Sequence, residues 1–460
     1  MIKALQNVLS SGHVTASGLL DDSLERIARD RRDHDAVYVS VNRESARKAA
    51  KTSDALRDRG YVPSSIAGLP VSIKDLFDVK GEVTSAGSRV LREARPATRD
   101  AVVISRLRDA GAVFVGRTNM SEFAYSGLGL NPYCGTARNP SDPRRVAGGS
   151  SSGAAVSVAL GHVAWSLGTD TGGSLRIPAA FCGLTAFKPT ARRVPLDGVL
   201  PLAAAFDSVG AIAQSVDCCV AADSVISSHV LDTSPRALES LRIGVLFGGV
   251  VDETDDQTHA AFYEVIRRLI DAGVSIVAFD FPELNEVLAL APQAGITAAQ
   301  AWGWHRHHIK ESAHLYDPRV LARIRKGEHL LAADYIELLK TREFFIGASQ
   351  RRLSDFDAWI MPTVATVAPL AEPLLEDDDA FFSTNARVLR NPGIVNLMDG
   401  CALTLPCHRE GALPVGVSIV GTSMADASVL AVGRSIESLL RQCGLGKSAI
   451  EDSLPGGAHG

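Results

Sequence analysis

The stretch AVVISRLRDAGAVFVGRTN, from Ala101 to Asn119, constrains the fold most: apolar residues at helical spacing, a glycine turn, then an apolar run without a polar face. A helix that feeds directly into a buried strand belongs to a layered α/β protein. The rhythm recurs along the chain. GLPVSIKDLFDV (Gly68–Val79) reads as a strand entering a loop, and LRIGVLFG (Leu241–Gly248), QTHAAFYEVIRRLIDAG and VSIVAFD read as a β-α-β unit. DAWIMPTVA reads as a further strand, and CALTLPC with VGVSIVG flank the turn HREGALP as a hairpin.

Helices fill the rest. Leu19, Leu20, Leu24 and Ile27 recur at helical spacing, with Thr15 or Ser17 as the N-cap, so the segment from Thr15 to about Lys51 is expected to be helical. The segment from about Glu283 to Ser354 reads as mostly helical, and ADASVLAVGRSIESLLRQ as a last helix before a glycine-rich tail. No internal repeat and no Pro- or Ser-rich linker interrupts the pattern. One large domain over residues 1–445 is expected, with N-terminal helices at 1–60 and a tail at 446–460.

Composition narrows the partners. With 46% hydrophobic and 22% charged residues the chain is globular, and a formal charge of −5 with interspersed signs offers no stripe for nucleic acid or anionic lipid. Seven scattered cysteines without a C-x-x-C pair argue against a disulfide framework and a structural zinc site. No span reaches the roughly 18 apolar residues of a membrane helix, and MIKALQNVLSSGHVTASGLLDD breaks too often for a signal peptide. A cytoplasmic protein acting on a small molecule is expected, with neither nucleic acid nor membrane as partner.

Chemistry concentrates in two serine motifs. In AGGSSSGAA (Ala147–Ala155), Ser150, Ser151 and Ser152 precede a small-residue run that reads as a tightly packed helix, so they stand at a helix N-terminus, where amides lack partners. No lysine follows in the P-loop position, which argues against nucleotide binding. Gly149, Ser151 and Gly153 fit G-x-S-x-G, yet the preceding NPSDPRRVAGG is too proline-rich for the strand that a nucleophile elbow needs. Downstream, HVAWSLGTDTGGSLRIPAAFCG (His162–Gly183) sets a second Gly-Gly-Ser after a buried strand. There Ser174 is a nucleophile candidate, with the amides of Thr171, Gly172, Gly173 and Ser174 curled round one point as an oxyanion hole. Lys74 stands among Val71, Ile73, Leu76 and Phe77; burial there lowers a lysine pKa from about 10.4 and frees the amine to act as a base. The alternative is a strand lysine facing solvent or paired with Asp75 or Asp78.

Taken with GRTNMSEFAYSGLGLNPYCGTARNP (Gly116–Pro140), these motifs resemble the amidase signature family, serine hydrolases of amides with a Ser-cisSer-Lys triad. The resemblance spans nearly the whole chain. It implies an α/β fold with a central mixed β-sheet covered on both faces by helices. Its catalytic core would lie at 61–215, with the remaining sheet and a substrate-lining helical segment at 216–445. It implies Ser174 as nucleophile, Ser150 as the bridging serine after a cis Gly149–Ser150 bond, Lys74 as general base, and Ser151, Asp170 and Arg176 as supporting residues. A covalent acyl-enzyme follows, with no cofactor and no metal.

Other residues carry weaker signals. Cys182 lacks a nearby histidine and reads as a small buried residue, and His162 as structural; His305 and His308 share a helix face without a third metal ligand. Specificity is expected from the EFAYSGLGLNPY loop, the helix around Trp302–His308 and the region of NLMDG, where Asp399 is a candidate for a polar or cationic group. A small carboxamide or ureido compound is the expected substrate. Two other functions are consistent with the resemblance. One is the glutaminase component of a tRNA-dependent amidotransferase, which the rather short chain and the lack of a docking insertion disfavour; the other is a silent binding protein of the same fold. Monomer and homodimer are both compatible with it.

Overall fold

The computed structural model describes residues 2–30, 35–246 and 250–446. The tail expected at 446–460, except Gly446, and the end of LRIGVLFG lie outside the described residues. One mixed sheet holds β1 (Tyr38–Val41), β2 (Pro70–Lys74), β3 (Val113–Thr118), β4 (Trp165–Asp170), β5 (Thr185–Lys188), β6 (Ser208–Ala213), β7 (Arg242–Leu246), β8 (Ser275–Phe279), β9 (Ala358–Pro362), β10 (Cys401–Pro406) and β11 (Gly416–Gly421). Their spatial order is β1-β3-β2-β4-β6-β5-β10-β11-β9-β7-β8.

Two parallel groups, β3-β2-β4 and β9-β7-β8, are joined through antiparallel strands. β10 and β11 form the hairpin that spans them, pairing with β5 on one side and β9 on the other. Every residue of β2, β3, β4, β6 and β9 is buried, with Trp165 and Trp359 among the largest enclosed side chains. Strands buried on both faces need no strict polar alternation, which is why β2, β3, β4 and β9 could be read from their apolar residues, whereas β5 and β6 have no counterpart in the sequence reading. Helices flank the sheet; the helix Ser152–Ala159, built of small residues, packs on β2, β3, β4 and β6.

The register sets up the site. β2 runs parallel to β4, with Ile73 opposite Leu167, so Lys74 and the Thr169–Asp170 end of β4 emerge at the same edge. In parallel sheets that carboxyl edge is where ligands are received.

The N-terminal segment departs from expectation. Helices Ile2–Ser10, Ala16–Asp30 and Arg43–Asp58 are interrupted by β1, a four-residue edge strand too short to carry a period. Thr15 caps as expected, its hydroxyl accepting the Gly18 amide at 3.0 Å. The helix Asp378–Leu397 has no counterpart in the sequence reading. Its inward face carries Asn385, Asn391 and Asn396, which hides the apolar stripe, and Pro392 lies inside it. Those asparagines are buried because each is hydrogen-bonded: Asn391 donates to the carbonyls of Val250 and Pro362, at 3.0 and 2.9 Å.

Candidate active site

Lys74 ends β2 and is completely enclosed, with 0% of its surface exposed. Its Nζ donates to Ser150 Oγ at 2.7 Å and to Thr169 Oγ1 at 2.8 Å. Burial pulls its pKa down to about 7, against the opposing pull of the Asp170 and Asp207 carboxylates. Near neutrality a large fraction of this amine is therefore uncharged.

Ser150 follows a cis peptide bond from Gly149. Gly149 has to be a glycine, since a Cβ there would stand 2.6 Å from the Gly129 nitrogen and 2.7 Å from Ser121 Oγ. The Ser150 carbonyl accepts the Ser121 amide at 3.1 Å. Ser151 precedes the helix Ser152–Ala159 without a side-chain cap: its hydroxyl donates to the Thr169 carbonyl at 3.4 Å and its amide to the Ser174 carbonyl at 3.3 Å. This amide ties the two serine motifs together. The buried Ser152 hydroxyl has no hydrogen-bond partner among the described residues.

The second motif turns around Asp170. Its carboxylate accepts the Gly173 amide at 2.8 Å, the Leu175 amide at 3.2 Å, Arg176 Nε and Nη2 at 3.1 and 3.0 Å, and Asn396 Nδ2 at 2.9 Å. Burial alone would raise the Asp170 pKa, but the Arg176 charge and these donors outweigh it and hold the carboxyl below its usual range. Arg176 also donates to Asn396 Oδ1 at 2.6 Å, so the helix Asp378–Leu397 helps brace the turn. Gly173 takes φ = 126°, a conformation left to glycine.

The four expected oxyanion donors are not equivalent. Gly173 turns its amide onto Asp170, which removes it from the set, whereas the amides of Thr171, Gly172 and Ser174 find no acceptor among the described residues. Ser174 lies 4% exposed, and its hydroxyl makes no hydrogen bond to Ser150 or to any other described residue. Thr171 is anchored by its own hydroxyl, which donates to Asp207 Oδ1 at 2.5 Å.

Thr171, Gly172 and Ser174 form part of the lining of a cavity of about 520 Å³, the size of a small-molecule site. Ala124, Tyr125 and Ser126 of the expected loop line it, as does Leu397 of the expected NLMDG segment. The helix Pro292–Ser312 contributes its first turns, Pro292 to Ala298, and not the Trp302–His308 segment expected to line it. There His305 is buried against Phe123 and shares a 3.0 Å hydrogen bond with the Tyr316 hydroxyl, while His308 stacks on Trp304. Asp399 sits apart, paired with Arg192 Nη1 at 2.5 Å and accepting from Ser423 Oγ at 2.8 Å. Cys182 is an enclosed thiol whose pKa is pushed up by burial, donating weakly to the Ala147 carbonyl.

His162 contacts Asp30 and stacks on Tyr38. Among the described residues no three His, Cys, Asp or Glu side chains are gathered as a metal site, and no helix is long and apolar enough to cross a membrane. Sequence reasoning missed Thr169, Gln293 and Arg323, and within NLMDG it singled out Asp399 instead of Asn396. Only Thr169, two residues before Thr171 in the same motif, carried a local signal.

Fold and site together define the class, a hydrolase of carbon–nitrogen bonds in linear amides. More particularly, residues 19–430 match the Amidase family model, and the chain belongs to that family. It is 33% identical to 2-amino-5-chloromuconic acid deaminase of Comamonas testosteroni, over 93% of this chain and 94% of that one. It is 30% identical to the A component of the Glutamyl-tRNA(Gln) amidotransferase of Archaeoglobus fulgidus, over 90% and 94% of the two chains. A crystal structure of an amidase superposes with a TM-score of 0.85 at 30% identity, covering 94% of this chain and 98% of that one. Coverage this complete removes chain length as an argument against the amidotransferase branch.

Proposed function

We propose that this protein hydrolyses a small linear carboxamide or ureido compound through an acyl-enzyme on Ser174. Neutral Lys74 accepts the Ser150 proton, Ser150 accepts that of Ser174, and Ser174 Oγ bonds to the amide carbonyl carbon. The amides of Thr171, Gly172 and Ser174 receive the oxyanion; the C–N bond then breaks as the proton returns through Ser150 to the leaving amine. Water, activated by the same relay, cleaves the ester. The Ser150 and Ser174 hydroxyls are expected to close to hydrogen-bonding distance with substrate bound, as catalytic contacts commonly do.

The observation that carries this reading is the enclosed Lys74 amine, 2.7 Å from Ser150 Oγ with its pKa at about 7. Likeness to a deaminase of 2-amino-5-chloromuconic acid supports a small soluble substrate that loses an amino nitrogen. Ammonia release from a panel of carboxamides and ureido compounds tests it, with Ser174→Ala and Lys74→Ala each expected to lose at least about 1,000-fold in kcat. Full activity in either folded variant would overturn the mechanism.

A second reading draws on the resemblance to the amidotransferase relative over 90% of the chain. In it the same site releases ammonia from glutamine for partner proteins. Glutaminase activity that appears only when such partners co-purify would establish it.

A further inference from the structure

The turn from Asp170 to Ser174 is fixed at nearly every peptide by the chain around it. The Asp170 carbonyl accepts the Ser208 hydroxyl at 2.9 Å, the Gly173 amide is held by Asp170 Oδ1, and the Gly173 carbonyl accepts the Ile177 amide at 2.7 Å. The Ser174 carbonyl accepts the Ser151 amide. Among the described residues, the peptide joining Thr171 to Gly172 has no such main-chain bond. Gly172 is half-buried and lines the cavity, and a glycine leaves that peptide rotational freedom. A flip would exchange its N–H for its carbonyl and present an acceptor to an oxyanion in place of a donor.

Gln293 holds this peptide. Its Nε2 donates to the Thr171 carbonyl at 3.2 Å, the only hydrogen bond of that carbonyl among the described residues. In a trans peptide C=O and N–H point in opposite directions, so a carbonyl drawn to Gln293 turns the Gly172 N–H away from it. Because Nε2 offers only donors, a flipped peptide would set N–H against N–H. Accepting this bond also polarises the peptide and strengthens its N–H as a donor.

Two neighbours place the side chain. Ala291 takes φ = 45° and Pro292 opens the helix Pro292–Ser312 where a missing N–H is tolerated, which sets Gln293 in its first turn. On the far side, Oε1 lies against Gly393 of the helix Asp378–Leu397. A Cβ on Gly393 would stand 2.4 Å from that oxygen, and the three nearest atoms to it all belong to Gln293.

We infer that Gln293 is a positioning residue for the proposed reaction: it locks the peptide between Thr171 and Gly172 so that the Gly172 N–H stays a donor to the oxyanion, and Gly393 leaves the room its amide needs. This deepens the amidase reading and rests on it.

The test is the rate at which a fluorophosphonate labels Ser174, which requires no knowledge of the natural substrate. Ser174 Oγ bonds to phosphorus, the P–F bond breaks, fluoride leaves, and the serine proton passes through Ser150 to Lys74; the phosphoryl oxygen takes the place of the oxyanion. Gln293→Ala removes the donor, and Gly393→Ala displaces it from behind; both bring in the best helix former, so thermal midpoints are expected to be retained. Each variant is expected to lower the maximal labelling rate about 10-fold, less than the loss of a direct oxyanion donor, with the half-saturating concentration within about twofold. The double variant is expected to lose no more than Gln293→Ala alone, since the added methyl group then meets no side-chain amide.

A wild-type rate in Gln293→Ala, a change confined to the half-saturating concentration, or losses that add in the double variant would each overturn the inference, while labelling at Ser174 leaves the amidase reading intact. A wild-type protein that neither reacts at Ser174 nor hydrolyses any amide overturns both.

Discussion

Lys74 draws its reactivity from enclosure. In the free enzyme only the uncharged amine acts as base, so kcat/KM is expected to rise about tenfold per pH unit below a pKa of about 7 and to level off above it. A pH–rate profile checks this; a flat profile between about pH 5 and 8 would remove Lys74 from the role of base. Asp170 does a different job, holding the Ser174 turn by Gly173, Leu175, Arg176 and Asn396 together. Asp170→Asn leaves the fully buried Arg176 without its counter-charge, a loss of about 3–5 kcal/mol expected in urea unfolding. At this scale the sequence is informative where chemistry is local. Ser150, Ser151 and Ser174 stand out because glycines surround them, and Lys74 because apolar residues do. The side on which Asp170 turns, and hence which amides stay open for an oxyanion, depends on Arg176 and on Asn396 some 220 residues away, and no spacing displays that.

Among elements, the helix Asp378–Leu397 does most to shape the cavity. Asn385 Oδ1 accepts the Ser126 hydroxyl at 3.1 Å and the Gly127 amide at 2.9 Å, fixing the loop opposite Ser174. Asn385→Ala would strand a buried amide, costing about 1–3 kcal/mol in stability, and loosen substrate positioning, so KM is expected to rise more than kcat falls. Steady-state kinetics and thermal unfolding of the variant check both. This helix was illegible because its inward face is polar, and the reason for that polarity lies in the partners its asparagines meet. The strands were legible for the opposite reason: β2, β3, β4 and β9 are enclosed on both faces and announce it as apolar runs, while β1, four residues at an edge, does not.

The whole molecule keeps most of its thiols out of reach. Of the seven cysteines, Cys182, Cys218, Cys219, Cys401 and Cys407 are buried, leaving Cys134 and Cys443 partly exposed. About two thiols are expected to react with Ellman's reagent under native conditions and all seven in denaturant, with hydrolysis unaffected by the native modification. Rapid inactivation would implicate a cysteine in the site. The order of the strands has a consequence for synthesis. β10 and β11 stand between β5 and β9, so the amino-terminal strands and the β7-β8-β9 group have no direct ladder between them. A growing chain therefore presents two open sheet borders until Gly421 has left the ribosome. A transcript truncated before Cys401 would yield a polypeptide that retains Lys74, Ser150 and Ser174 yet offers both borders to other chains, a substrate for chaperones and proteolysis instead of an enzyme.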